Sequence, residues 1–268
     1  MARAAATRAT DRRASEPMSV APSLPPGVRT IAEQPDGEGL HRQGEWSAEL
    51  PWLIQGITGA DADMSLFGDS PTGAVVPRWQ RLRDRLGCRT IVHARQVHGD
   101  IVLLHELAPA GLVIAPDADG HATREPGTAL AVSVADCVPI FVAAPGARAV
   151  ALLHGGWRGV AAGILERGLA LLTTSFPVEP ADLWVHFGPA ICGACFEVGP
   201  EVPAGLGLND TAHVDLRAQL AHRATAAGVT PDRITVSGFC TRHGNSPFYS
   251  HRGGCAERQI AVLAVRSE

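Results

Sequence analysis

The chain contains no lysine, and all 23 of its fixed side-chain cations are arginines. Any contact between such a cation and a phosphate is therefore a guanidinium contact. No stretch reaches the roughly 18 apolar residues of a membrane span, and the longest apolar runs are strand-sized. The first thirty residues hold no apolar run, so no secretory leader is expected there. Charge of either sign is not in excess: a formal net charge of −4 gives no general attraction to nucleic acid or to anionic membrane. Neither GxGxxG nor GxxxxGK[ST] occurs, so nothing supports nucleotide binding through the familiar phosphate loops.

What is present is ordinary for a packed protein: 268 residues, 46% hydrophobic and 19% charged. Six cysteines lie at positions 88, 137, 192, 195, 240 and 255. An even count permits disulfides, but in a long chain without a leader the expectation is reduced thiols in the cytoplasm. Residues 1–28 are rich in Ala, Arg, Ser, Thr and Pro without a hydrophobic period, and a disordered N-terminal extension is expected there. From 29 to 268 one domain is expected.

Residues 29–50 are polar and carry little pattern. Trp52 to Thr58 reads as a first strand, and Gly59 to Gly73 as a loop. Pro77 to Leu86 has a helical spacing at Trp79, Leu82 and Leu86. Gly111 to Gly127, with Asp117, Asp119 and His121, reads as a loop. Further helices are expected from about Gly159 to Thr174 and from Asp215 to Gly228, and strands over Leu183 to Phe187, Ile234 to Ser237 and Gln259 to Val265. Phe248 to His251 is a candidate edge strand. Strands and helices interleave without strict βαβ alternation. The expectation is an α+β (mixed α/β) fold with mixed β-sheets flanked by helices.

The chemistry concentrates between Ala129 and Gly159. Two strand-like runs are separated by Pro145-Gly146. Cys137 sits at a break in Ala135-Asp136-Cys137-Val138-Pro139, and His154 ends the second run beside Gly155, Gly156 and Gly159. Gln96-Val97-His98-Gly99 offers a second imidazole. A thiol and two imidazoles suit a catalytic zinc with one position left open. The same residues also suit a nucleophilic Cys137 with His154 or His98 as base, or a buried small hydrophobe beside structural histidines. Arg158, at a predicted helix start, and His251 and Arg252, before Gly253-Gly254, are candidate contacts to an anion. Cys192-Gly193-Ala194-Cys195 is a CxxC without a second CxxC, and it is read, like Cys240-Thr241-Arg242-His243, as structural.

Five segments in order resemble one family: Gln96 to Gly99, Ala135 to Pro139, His154-Gly155-Gly156-Trp157-Arg158-Gly159, Gly188-Pro189-Ala190-Ile191, and Phe248-Tyr249-Ser250-His251-Arg252. It is the YfiH-type family, also called laccase-domain or polyphenol oxidase-like proteins and peptidoglycan editing factor. The resemblance covers about residues 50 to 265. It implies a single α/β domain and a zinc ion, with copper as the other candidate, held by His98, Cys137 and His154 as metal ligands and catalytic groups. It implies phosphorolysis of adenosine, inosine, guanosine and methylthioadenosine and deamination of adenosine, with a purine nucleoside and phosphate as partners. The copper-laccase reading and a role in removing a wrong amino acid from a cell-wall precursor belong to the same family. A Thr-Thr-Arg-type motif of the family is Gly56-Ile57-Thr58-Gly59-Ala60-Asp61 here, without the arginine, and its closing Gly-Arg is Glu257-Arg258.

Overall fold

The computed structural model describes residues 23–37 and 39–267. Among the described residues, fourteen strands form two seven-stranded sheets. The first sheet runs β1 (Arg29–Ile31), β13 (Ile234–Ser237), β12 (Trp184–Phe187), β10 (Val138–Ala144), β11 (Ala149–Gly155), β8 (Gly120–Thr123), β6 (Val102–His105). The second runs β2 (Gln34–Pro35), β3 (Leu40–Arg42), β4 (Leu53–Thr58), β14 (Gln259–Val265), β9 (Thr128–Val134), β5 (Thr90–Ala94), β7 (Gly111–Ala115). Both mix parallel and antiparallel pairs: β12 and β13 are parallel whereas β10 and β11 are antiparallel. The described residues also form six α-helices: α1 (Gly44–Glu49), α2 (Thr72–Arg85), α3 (Trp157–Ala162), α4 (Ile164–Ser175), α5 (Glu201–Leu206) and α6 (Leu216–Ala226).

Side-chain alternation explains the layering. In β10, Ile140 and Val142 face a core shared with Leu165, Leu169 and Leu220 of the helices, while Phe141 and Ala143 face the other sheet. In β9, Leu130 and Val132 meet Phe141 and Leu152 between the sheets, while Ala129 and Ala131 face Val75, Trp79 and Leu82 of α2. Successive residues of a strand point to opposite faces, so a strand covered on both faces must be apolar at every position. That is why β10, β11 and β14 read as long apolar runs rather than alternating ones, with polar residues only at the ends of β11 and β14, His154 and Gln259, and every residue of the three is buried.

The mixed-sheet expectation holds. The local differences have physical causes. The helix expected from Pro77 starts at Thr72, with Val75, Trp79 and Leu82 on its buried side, and Pro77 is accommodated inside it. The helix expected over 159–174 is two helices, because Gly163 closes α3 in the left-handed conformation with φ +96°. Residues 111–127, read as a loop, contain β7 and β8. Phe248 to His251 is not a strand. The polar stretch 29–50 carries three short strands and α1, fixed by buried polar contacts: Glu33 accepts from Ser237 Oγ at 2.7 Å and meets His186 Nε2 at 2.9 Å. The expected N-terminal extension falls mostly on residues 1–22, outside the described residues, while Leu24 and Val28 pack against the helix-side core.

Two histidines are buried between layers and held neutral. Burial pushes His93 down to about 4 and His121 to about 3. An unfolded chain takes up these protons near pH 6.5, whereas the folded chain refuses them until much lower pH. The stability that these two histidines contribute is therefore fully present above about pH 6.5 and is lost as pH falls from there towards 4. Urea denaturation between pH 7 and 4 should show a falling midpoint, and His121→Gln should flatten that fall.

Candidate active site

Cys137 lies where the chain leaves β9 in one sheet and enters β10 in the other. His154 lies on the neighbouring strand, with Pro139 of β10 directly opposite it. The crossing between sheets places the sulfur beside the end of β11. His98 arrives from the loop after β5, in the left-handed conformation at φ +60°. One ligand atom from each of His98, Cys137 and His154 lies within 4.8 Å of the others. The two imidazole rings meet edge to face, their centroids 4.9 Å apart.

Asp119, fully buried just before β8, organises two of the three. Its carboxylate accepts the backbone N–H groups of Val97 at 3.0 Å, His98 at 2.9 Å and Gly99 at 2.8 Å, and the Nδ1 of His154 at 2.8 Å. Burial alone would raise its pKa. The hydrogen bonds from His154 and the loop amides outweigh burial and hold it below the usual carboxylate range. A carboxylate on Nδ1 fixes the ring and leaves Nε2 for the cluster. Gln96 ties the same loop to β9: its side chain donates to the Ser133 carbonyl at 2.9 Å and accepts the Ser133 N–H at 2.7 Å.

Burial would also disfavour charge on Cys137 and His154. Their mutual attraction, helped by His98 on the thiol and Asp119 on the imidazole, reverses this. The Cys137 thiol is lowered to about 6 and His154 is raised to about 9. The thiolate is the form that ligates metals and attacks electrophiles. Gly156 makes the cluster possible. A Cβ there would sit 2.8 Å from the His98 ring, 3.3 Å from the Cys137 sulfur and 3.5 Å from the His154 ring. Gly159 serves the same approach, since a Cβ would lie 2.7 Å from the Gly99 carbonyl oxygen.

The three side chains line a cleft of about 320 Å³, with Phe67, Arg95, His251 and Arg258 also on its walls. His251 is thus beside the cluster. Arg158 and Arg252 are not among the cleft residues. Arg158 stacks on Trp157, 4.4 Å from the ring centroid, and Arg252 lies over Phe196 while donating to the Glu197 carbonyl at 2.7 Å. Arg252 touches the site through its backbone, whose N–H donates to Asp136 at 2.6 Å. The cations that the fold does bring into the cleft, Arg95 and Arg258, have no motif around them beyond the closing Glu257-Arg258. Arg95 is paired through two hydrogen bonds with Asp117. Arg258 donates to the neutral carbonyls of Ala256 at 2.8 Å and Glu257 at 2.9 Å. Asp119 left no local signal either: an aspartate before glycine reads as a turn residue.

The model of the multi-copper polyphenol oxidoreductase laccase family matches residues 60–266, and the chain belongs to this family. A purine nucleoside phosphorylase of Xylella fastidiosa strain Temecula1 is 32% identical over 256 residues, covering 90% of this chain and 93% of that protein. The adenosine deaminase RL5 of an unknown prokaryotic organism is 36% identical over 152 residues, 50% of this chain and 56% of that one. The crystal structure of YlmD from Geobacillus stearothermophilus superposes with a TM-score of 0.78 at 29% identity, covering 88% of this chain and 99% of that chain. Among the described residues no helix is long and apolar enough to cross a membrane.

Outer groups that orient metal ligands are typically worth 10–100-fold in affinity. If the His98/Cys137/His154 cluster takes up added zinc, Asp119→Asn should weaken that uptake by roughly that factor, read by competition with a chromophoric chelator. Gly156→Ala should lower affinity by forcing the rings and sulfur apart, with the thermal midpoint changed far less than the affinity.

Proposed function

We propose that the chain is a zinc-dependent purine nucleoside phosphorylase that also deaminates adenosine. Adenosine, inosine, guanosine and methylthioadenosine are the nucleoside substrates, the metal lies at His98, Cys137 and His154, and the compartment is the cytoplasm. The observation that carries the reading is the close-set imidazole–thiolate–imidazole cluster facing an open cleft. The donor set suits zinc: two imidazoles and one thiolate, within ligand–ligand distances a single ion can span. Copper would accept the same donors. When bound, the ion supplies Lewis acidity and brings an oxygen nucleophile towards ionisation near neutral pH.

The residues of the chain do the rest. Phe67 is 53% exposed, lines the cleft and packs beside the His93 ring at 5.8 Å between centroids, an aromatic group against which a purine can stack. In phosphorolysis the bond between C1′ and the base nitrogen breaks, its electron pair leaves with the base, and a phosphate oxygen bonds to C1′. In this reading Arg258 and His251, both on the cleft wall, hold that phosphate, and Arg258 can offer planar paired donors. In deamination a water oxygen bonds to the purine C6, the bond from C6 to the amino nitrogen breaks, and that nitrogen leaves as ammonia with a proton from the water. Asp119 holds His154 in one orientation throughout, so no step has to reorganise the cluster. The phosphorylase and deaminase names among the relatives support both activities.

Zinc-replete protein incubated with inosine and phosphate should release hypoxanthine and ribose 1-phosphate, followed by chromatography. Cys137→Ala should reduce release to background while keeping the fold. Arg258→Ala should raise KM for phosphate more than KM for inosine. Hypoxanthine release that is absent in zinc-loaded protein, or that survives Cys137→Ala undiminished, rejects the proposal.

A further inference from the structure

A second cluster of metal-binding side chains lies away from the cleft. It is built from two turns, each read from sequence as an isolated structural pair. β12 and β13 run parallel side by side, with Val185 opposite Ile234. Beyond their ends the two chains stay paired: Ala190 bridges Cys240, and the Thr241 N–H donates to the Ala190 carbonyl at 3.1 Å. That pairing brings Cys192 and Cys195 of the first turn against Cys240 and His243 of the second. All four ligand atoms lie within 4.8 Å of one another. The Nδ1 of His243 is 3.0 Å from the Cys195 sulfur and 3.7 Å from the Cys192 sulfur.

The 3.7 Å separation is close to that of a tetrahedral hole, and the 3.0 Å one, a hydrogen-bond contact, would widen by about 0.5 Å to admit an ion. With bonds of about 2.3 Å to sulfur and 2.0 Å to nitrogen, ligands on zinc stand roughly 3.5–3.8 Å apart. The donors are three cysteines and one histidine with C-x2-C and C-x2-H spacing, a set typical of closed structural zinc sites. The backbone supports the sulfur as it does in such sites. The Cys192 N–H donates to the Cys240 sulfur at 3.4 Å, and the amides of Arg242 and His243 also point to it. A dithiol redox pair would use two of these groups and leave a third thiol and an imidazole converging without purpose.

We propose that Cys192, Cys195, Cys240 and His243 bind a structural zinc ion that staples the turns after β12 and β13 and, through Asp136, positions Cys137. The link to Asp136 is direct. Ile191, next to Cys192, donates its N–H to the Asp136 carbonyl at 3.0 Å, and Thr241, next to Cys240, donates its hydroxyl to the Asp136 carboxylate at 2.5 Å. Asp136 is held at φ +83°, a conformation that a non-glycine residue keeps only when its surroundings impose it. Cys137 is the next residue. The metal binding stands apart from the function proposed above, whereas its consequence for Cys137 rests on that function.

Elemental analysis of full-length protein, expressed in zinc-supplemented medium and desalted, tests this. Wild type should carry about two zinc ions per chain and Cys137→Ser about one. Cys195→Ser and His243→Ala should each lose one ion as well. His243 is exposed, so its variant keeps the test open if Cys195→Ser does not fold. Cobalt loaded into Cys137→Ser should show thiolate-to-metal charge-transfer bands that His243→Ala in the same background weakens. Activity on inosine should fall in His243→Ala and return, together with the ion, in His243→Cys. One ion per chain, lost in Cys137→Ser and kept in Cys195→Ser and His243→Ala, overturns the second site and leaves the cleft reading intact. One ion that survives Cys137→Ser and is lost in Cys195→Ser supports this site and rejects zinc in the cleft. Activity unchanged in a zinc-depleted His243→Ala overturns the positioning role.

Discussion

The candidate site depends on one buried carboxylate. Asp119 has no exposed surface, yet it remains charged because three successive amides and one imidazole point at it. An ionised group in the interior survives only when its lone pairs are matched. Here the matching partners are the loop that carries His98 and the ring of His154 itself. The carboxylate therefore converts its own desolvation into positional order for two candidate ligands from distant parts of the chain. The left-handed backbone of His98 belongs to the same arrangement: it lets the amides of Val97, His98 and Gly99 converge on one acceptor.

The second constraint is the change of sheet between β9 and β10. A strand of one sheet that continued straight would never bring Cys137 to the end of β11. By crossing at Ala135-Asp136-Cys137, the chain places a thiol at the seam between the two layers, where the cleft opens. The central strands β10 and β11 are packed on both faces, so polar groups of the site gather at the seam, where the cleft opens. Space there is tight, which explains why a glycine at 156, with ordinary backbone angles, is required by its neighbours rather than by its own conformation.

The legible part of the chain was what short periods and local chemistry record. β13 and β14 lie where the apolar runs put them, and α6 starts where Asp215 caps two amides. Cys137 and His154 were visible because strand ends, glycines and a reactive pair fall together within thirty residues. Other features were written in contacts between distant residues. β7 is an edge strand and β8 lies one strand in from an edge, and residues 116–119 between them, Pro-Asp-Ala-Asp, make the whole stretch read as loop. The strands in 29–42 are fixed by Glu33, whose partners His186 and Ser237 are far along the chain. Arg158 and Arg252 suit an anion by their neighbours in sequence, but neither lines the cleft: Arg158 lies over Trp157 and Arg252 over Phe196. Arg258 enters the cleft through a loop with no pattern of its own.

The same logic applies to the cysteine pair that carried no message alone. A CxxC and a CxxH mean little apart, since either spacing occurs by chance in loops. They acquire meaning only when parallel strands deliver both to one place, and β12 and β13 do so in adjacent register. The two clusters then stand at opposite sides of a single residue. Asp136 receives hydrogen bonds from Ile191, Thr241 and Arg252, and its backbone leads directly to Cys137. A strained backbone of this kind keeps its shape only if what surrounds it cannot relax. A rigid, four-ligand staple on the flanking turns meets that condition better than hydrogen bonds between two free loops, because it removes the motion by which the turns would separate. An open site that must keep a reactive sulfur in place, backed by a closed one that has only to hold still, is therefore a consistent division of labour between the two sets of thiols.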